Sequence, residues 1–448
     1  MKLVKTWATV LLFCTVALLF GCLREQVDYI REQIDYSQDQ ADYYREQADT
    51  LNVSNFTARM RHTTEAFGTI STLRLYDDFS LPENVARFER IWQESLEILL
   101  ELDSIFSSSL ETSEVSRFNA LVYGESMAVS SHMAHVIKLS RLAYADLGGR
   151  FDPTVFPLTD LWGFSPRFRT NHFIPRYPYD RAEGRGQLPD PKYVAAFLQL
   201  VDLNNILLSG CEMTGFTLTK GIAPVTVNGH TYQAQLDFGA ILKGYATDLV
   251  HEILLREGLA FGYFSSGGSS MAFLRGLDAI GESDGAYLFA LNLRKPRPGN
   301  EHGSSFITIL VGETSLSTSG DYDHAFFLDG IRYSHIFDPR TGHPVNPPRE
   351  DGIQRGIAAA TVLGSGAAHV ETLSTALLIM SLDEAIAFIN EHSQEYQVVL
   401  VYYNSGYDFF EVITNLPAER FTILDTAYVL ASRLDGDGKV EYVGHLAR

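Results

Sequence analysis

Leu236-Asp237-Phe238-Gly239-Ala240-Ile241-Leu242-Lys243-Gly244-Tyr245 lies near the middle of the 448-residue chain and sets the reading of what surrounds it. It holds one carboxylate, one ammonium and two glycines among apolar side chains. Glycine lets a backbone come close to a ligand. The stretch therefore reads as a loop in which Asp237 and Lys243 are placed to hold a polar ring edge and a phosphate. Residues 246–257 follow with helical spacing, and residues 206–227 precede it as hairpin-like strands. Further out, residues 68–76 alternate as a strand. Residues 83–102 (Val85, Phe88, Ile91, Trp92, Leu96, Leu99) and 133–145 read as helices. Strands are expected at 287–293, 306–311, 396–403 and 409–414, with a helix at 370–380. Strands and helices intersperse without regular βαβ alternation, which predicts an α+β fold rather than a doubly wound sheet. The polar run 171–191 reads as a surface insertion without an assigned role.

Three more segments concentrate Gly, Asp, His, Ser and Thr in apolar surroundings. One is Phe151-Asp152-Pro153-Thr154-Val155 with Leu161-Trp162-Gly163-Phe164. Another is Ser265-Ser266-Gly267-Gly268-Ser269. The third joins Thr318-Ser319-Gly320-Asp321-Tyr322 to His335-Ile336-Phe337-Asp338-Pro339-Arg340-Thr341-Gly342. Glycine pairs beside hydroxyls let backbone N–H groups meet phosphate oxygens. Each segment alone has a plainer reading: Gly267-Gly268 as a turn, Asp338-Pro339 as a loop start, Trp162 as core packing, His335 as a structural histidine. The ordered set is what carries specificity.

Composition bounds the class. Lys+Arg 35 against Asp+Glu 55 gives a net charge of −20, so a nucleic-acid partner is excluded for want of basic patches. With 46% hydrophobic residues the chain is globular material, and three cysteines do not make a disulfide framework. An acidic chain that binds phosphates needs a metal cation or backbone nests to do so.

The N-terminus addresses place. Lys2 and Lys5 precede an uncharged apolar run over residues 7–20, shorter than the ~20 residues of a membrane span. Leu19-Phe20-Gly21-Cys22 then resembles a bacterial lipoprotein signal, with residues 1–21 removed and lipid on Cys22, although Phe20 is bulkier than usual. An uncleaved anchor and plain secretion are the alternatives. Lipidation would leave Cys211 as the one ordinary cysteine, because Cys14 departs with the signal. Residues 24–51 repeat every seven: Val27, Ile34, Ala41 and Ala48 share one phase, and Ile30, Ser37, Tyr44 and Leu51 another. Residues 22–55 are expected to form a helical spacer. A coiled coil that self-associates through 24–51 and a disordered tether are the other readings.

Taken in order, Phe67-Gly68-Thr69, residues 113–119, Asp152-Pro153-Thr154, Leu161-Trp162-Gly163-Phe164, residues 237–245, Gly267-Gly268, Thr318-Ser319-Gly320, residues 335–342 and Glu371-Thr372-Leu373-Ser374-Thr375-Ala376 resemble the strings of the ApbE family of flavin transferases. The resemblance runs from about residue 62 to 415. It implies an ApbE-like (T-fold-like) domain of mixed sheets and packed helices over 60–420, leaving 421–448 as an appendage. It also implies transfer of FMN from FAD to a threonine or serine of an acceptor flavoprotein, with AMP released. FAD is expected against Phe67, Asp152, Pro153, Thr154, Asp237, Lys243, Gly267, Gly268, Thr318, His335, Ile336, Arg340, Thr341 and Gly342. Mg²⁺ is expected on the Ala240 carbonyl and the side chains of Glu371 and Thr375, which share a helix face four residues apart. The acceptor hydroxyl needs a base, for which His335 and Asp338 are candidates. Three positions depart from the family: Glu371 stands where aspartate is usual, Phe67 where methionine is, and Phe156 where glycine is common.

Two other functions use the same residues. Water in place of the protein hydroxyl would make the chain an FAD pyrophosphatase giving FMN and AMP. A carrier lipoprotein would bind flavin without chemistry. The expected location is outside the cytoplasm, lipid-anchored to a bacterial membrane and facing the periplasm or the cell exterior.

Overall fold

Val398 and Leu400 turn to one side of their strand and Val399 and Val401 to the other, and all four are buried. A strand apolar on both faces lies between two layers. The computed structural model describes residues 53–164, 188–280, 286–297, 305–322, 324–347 and 353–444. The signal 1–21, Cys22, the repeat 24–51 and residues 171–187 of the insertion lie outside the described residues.

The middle layer is a nine-stranded sheet whose strands follow one another in chain order. They are β1 (Thr57–Thr63), β2 (Ser71–Asp77), β3 (Gly262–Ser266), β4 (Ser270–Phe273), β5 (Thr314–Gly320), β6 (Arg355–Gly364), β7 (Gln397–Asn404), β8 (Phe410–Thr414) and β9 (Tyr428–Leu430). Every pair is antiparallel except β8 with β9. One face packs on helices, through Leu73, Phe264, Ala360, Val362 and Leu400. The other packs on a four-stranded sheet (Ala279–Ile280, Tyr287–Arg294, Ser305–Val311, Phe421–Ile423), through Phe273, Leu316, Val399 and Val412. The α+β expectation holds, and the packing is helices on sheet on sheet.

The helices are α1 (Pro82–Phe106), α2 (Glu114–Ala120), α3 (Ser131–Asp146), α4 (Phe156–Leu161), α5 (Pro191–Leu198), α6 (Leu242–Arg256), α7 (Ala367–Ile379) and α8 (Leu382–Glu391). α7 lies against α6 and against β5 and β6, and ten of its thirteen residues are buried. One expectation changes here. α6 begins at Leu242, so Lys243 and Gly244 stand on its first turn rather than in the preceding loop. Glycine disfavours helix, which is why the sequence pattern placed the start later. The turn from Phe238 feeds straight into the helix, its carbonyl accepting from the N–H of Ile241 and of Leu242 at 3.0 and 2.9 Å. The segment read as an appendage supplies a strand to each sheet, Phe421–Ile423 to the smaller and β9 to the larger.

Candidate active site

Main-chain bonds tie the scattered strings together. Ser113 caps α2, accepting from the Ser116 N–H at 2.9 Å. At the far end of α2, Asn119 clamps the Leu236 peptide from both sides, donating to its carbonyl at 2.9 Å and accepting from its N–H at 2.7 Å. The next N–H, of Asp237, donates to the Pro153 carbonyl at 2.9 Å. The 237–245 stretch is thus held to the 152–154 turn before any ligand is considered. The Asp237 carboxylate, half-buried, accepts the Gly239 N–H at 2.8 Å.

One group of predicted residues converges where α6 and α7 begin. The Lys243 ammonium donates to the Gly239 carbonyl at 2.9 Å and pairs with Glu371, whose side chain is 4% exposed. The other Glu371 oxygen accepts the Gly244 N–H at 2.6 Å. Thr375, one turn along α7, donates to the Glu371 carbonyl at 3.2 Å, and its hydroxyl lies 3.0 Å from that of Ser319 on β5. Gly267 brings its backbone to the same place: a Cβ there would stand 3.1 Å from the Thr69 hydroxyl and 3.4 Å from Lys243 Cδ. Gly267 and Gly268 are both exposed and left-handed, with φ of 68° and 66°. Phe67 is left-handed too (φ 58°), its N–H donating to Asp103 at 2.9 Å. Ala240 is half-buried beside the Gly239 carbonyl.

This oxygen set already holds a cation, the lysine's own ammonium, between a carbonyl and a buried carboxylate. Hard oxygens of that kind suit a small divalent ion. Among the described residues no three His, Cys, Asp or Glu side chains gather. A metal here would therefore rest on one carboxylate, hydroxyl and main-chain oxygens.

A second group surrounds the 335–342 loop. Trp162 donates its ring N–H to the Gly342 carbonyl at 3.1 Å and stacks on Tyr333 at 6.0 Å. Phe326 stacks on both Tyr333 and Phe164. Gly342 has φ 75°, and a Cβ there would press on Val194 and Leu158 at 3.1 and 3.2 Å. His335 lies edge-on to His324, with Nδ1 3.2 Å from the His324 carbonyl. A carbonyl only accepts, so in the neutral ring Nδ1 carries the hydrogen and Nε2 is the acceptor. Asp338 is spent within its own loop: its carboxylate accepts from the Arg340 N–H, Nε and Nη2 at 2.9, 2.9 and 2.8 Å. That bond also holds the Arg340 guanidinium above its usual range. Ile336 is buried, while Arg340 and Thr341 are exposed.

The ApbE family model matches residues 67–400 of this chain. The chain belongs to the ApbE family. It is similar to the FAD:protein FMN transferase of Vibrio cholerae, 27% identical over 310 residues, which is 69% of this chain and 79% of that protein. The Treponema pallidum protein of the same name is 23% identical over 338 residues, 75% of this chain and 83% of that one. In fold it is similar to the flavin transferase ApbE of Vibrio cholerae, with TM-score 0.57 and 23% identity over 78% of this chain and 97% of that one. The apo flavinyl transferase ApbE of Pseudomonas stutzeri gives TM-score 0.59 and 24% identity over 81% and 96%.

Three expected residues of this ApbE chain sit differently from the rest. Asp152 is buried and its oxygens are taken, Oδ1 by the Thr154 N–H and hydroxyl at 2.8 and 2.5 Å, Oδ2 by the Leu203 N–H at 3.1 Å. Burial raises its pKa. Thr154 is wholly buried, and the Thr318 hydroxyl meets that of Thr361 at 2.8 Å. Sequence reasoning did not single out Asp248, which bonds the start of α7, and quoted Ser319, which meets Thr375, within a string but gave it no role. Asp248 lies four residues after Gly244 on the face that meets α7, and a carboxylate on the packing face of a helix was the available signal.

Proposed function

We propose that the two groups form one site. The chain is an FAD:protein FMN transferase. The acceptor threonine or serine oxygen attacks the FMN phosphorus of FAD. A new O–P bond forms, and the P–O bond to the bridging oxygen breaks. AMP leaves with that oxygen, and the hydroxyl proton passes to a base. His335 is the base in this reading, because its Nε2 is an acceptor while Asp338 is committed to Arg340. The observation that carries the reading is the convergence of Lys243, Glu371, Thr375 and Gly267 from strings far apart in the chain.

Glu371, Thr375 and the Ala240 carbonyl would hold Mg²⁺, supported by the cation-binding character of the oxygens around Lys243. When bound, that ion neutralises charge on the departing phosphate. Lys243 orients the pyrophosphate, and the left-handed Gly267-Gly268 turn keeps side chains out of its way. Asp237 holds the flavin ring edge. Cys22 carries lipid, residues 22–55 hold the body off a bacterial membrane on its outer side, and residues 24–51 are the segment for any self-association; the sequence alone supports these points.

The test is incubation with FAD, Mg²⁺ and an acceptor domain bearing a target threonine. In-gel flavin fluorescence on the acceptor is expected. AMP and FMN without labelling would replace transfer by hydrolysis, and tight FAD binding without either product would leave a carrier. Mass spectrometry of membrane-extracted protein should find a lipidated N-terminal Cys22; an intact Met1 would refute the anchor.

A further inference from the structure

Two helices of this protein start without a capping side chain of their own, and each receives a carboxylate from the other. α7 follows Gly366, which has φ 79° and no side chain to offer. Its first two N–H groups, of Ala367 and Ala368, donate instead to the two oxygens of Asp248 on α6, at 2.6 and 2.9 Å. α6 follows Ile241, which makes no side-chain cap. The Gly244 N–H in its first turn donates to Glu371 on α7. A carboxylate at a helix start meets unsatisfied N–H groups and the positive end of the helix dipole, so both bonds are charge-assisted.

The helix starts touch directly at this point. A Cβ on Gly244 would stand 2.4 Å from the Ala367 carbonyl oxygen and 2.6 Å from Ala368 Cα. The glycine lets the backbones meet, and Asp248, one turn along α6, grips the same peptides of α7. The grip fixes how far α7 is drawn along α6, and with it where Glu371 and Thr375 stand relative to Lys243.

We propose that Asp248 is the positioning residue of this site: by capping α7 across the helix interface it sets the place of the Glu371 carboxylate. The proposal rests on the reading of Glu371 as a cation ligand, and the experiment separates the two. Mn²⁺ alone, without FAD, is titrated into the full-length chain and bound ion is read by electron paramagnetic resonance. Asp248→Ala is expected to weaken Mn²⁺ binding about tenfold or more, the scale of losing an outer partner of a metal ligand. Asp248→Asn keeps one acceptor oxygen and should fall between Ala and wild type, which keeps the test open if the alanine variant folds poorly. Ile389→Ala, a buried truncation in α8, which packs on β7, controls for destabilisation: at a comparable loss of Tm its Mn²⁺ affinity should match wild type. Asp248 variants that bind Mn²⁺ as the Ile389 control does would overturn the positioning role. Unchanged binding in Glu371→Ala would instead remove Glu371 as a ligand and take the proposal with it.

Discussion

Glu371 does two things at once. One oxygen faces the Lys243 ammonium, and the other reaches the Gly244 N–H. Glu371→Gln removes the charge and leaves the ammonium facing an amide. Breaking a buried pair costs ~3–5 kcal/mol, and Lys243 keeps 24% of its side chain exposed. The low end, about 3 kcal/mol, is expected from urea unfolding. A loss under about 1 kcal/mol, the worth of a surface pair, would mean that water already satisfies Lys243. His251, one turn beyond Gly244–Asp248 on α6, has a buried Nε2 with no hydrogen-bond partner among the described residues. Burial lowers its pKa from the ordinary 6.5 to about 4. Between those values the unfolded chain binds the proton and the folded chain does not, so stability falls as pH drops from 6.5 towards 4. His251→Leu should flatten that part of the stability–pH curve; an unaltered slope would assign it to other groups.

At the scale of elements, α6 and α7 act as one unit. Their types were legible from helical spacing, but the start of α6 was not, because Gly244 speaks against helix locally and only the approach to Ala367 explains it. Gly244→Ala must push the two backbones apart. Overpacking costs ~1–3 kcal/mol, and both reciprocal caps would loosen with it. Calorimetry should show a lower Tm together with loss of FMN transfer, whereas a wild-type Tm would mean that the helices part without penalty. The serine and threonine run in the α7 string was legible as a motif. That Ser374 and Thr375 meet Ser319 of β5, at 2.7 and 3.0 Å, required the register of sheet and helix.

For the whole molecule, the C-terminal segment matters more than its position at the end of the chain suggested. Tyr428 is buried and stacks on Phe306 and Phe410 between the two sheets. Tyr442 donates to the buried Glu411 carboxylate on β8, and Asn390 of α8 exchanges two bonds with the Val440 peptide. Ending the chain after Arg420 would remove β9 and the Phe421–Ile423 strand and uncover Phe306 and Phe410 where Tyr428 stacks on them. The truncated protein should aggregate in size-exclusion chromatography or lose most of its unfolding enthalpy. A monomer with unchanged Tm would make the segment dispensable.

The amino-acid order by itself determined the α+β class, the elements with clear periodicity and the family strings, since these depend on neighbours a few residues apart. Through their likeness to the family's strings, it also pointed to Lys243, Glu371, Thr375 and Gly267 as candidate site residues, and the fold brings these four together. What it left open was the use of each carboxylate. Asp152, Asp338 and Glu371 all stand in promising motifs, and each meets different donors: Asp152 the Thr154 and Leu203 N–H groups, Asp338 those of Arg340, Glu371 the Lys243 ammonium and the Gly244 N–H. Asp248 stood in no motif but holds the start of a helix 119 residues away. A carboxylate's role is set by the donors that surround it, and those donors come from distant segments. Only the packing of α6 on α7, and of both on the nine-stranded sheet, decided which donors each acid meets.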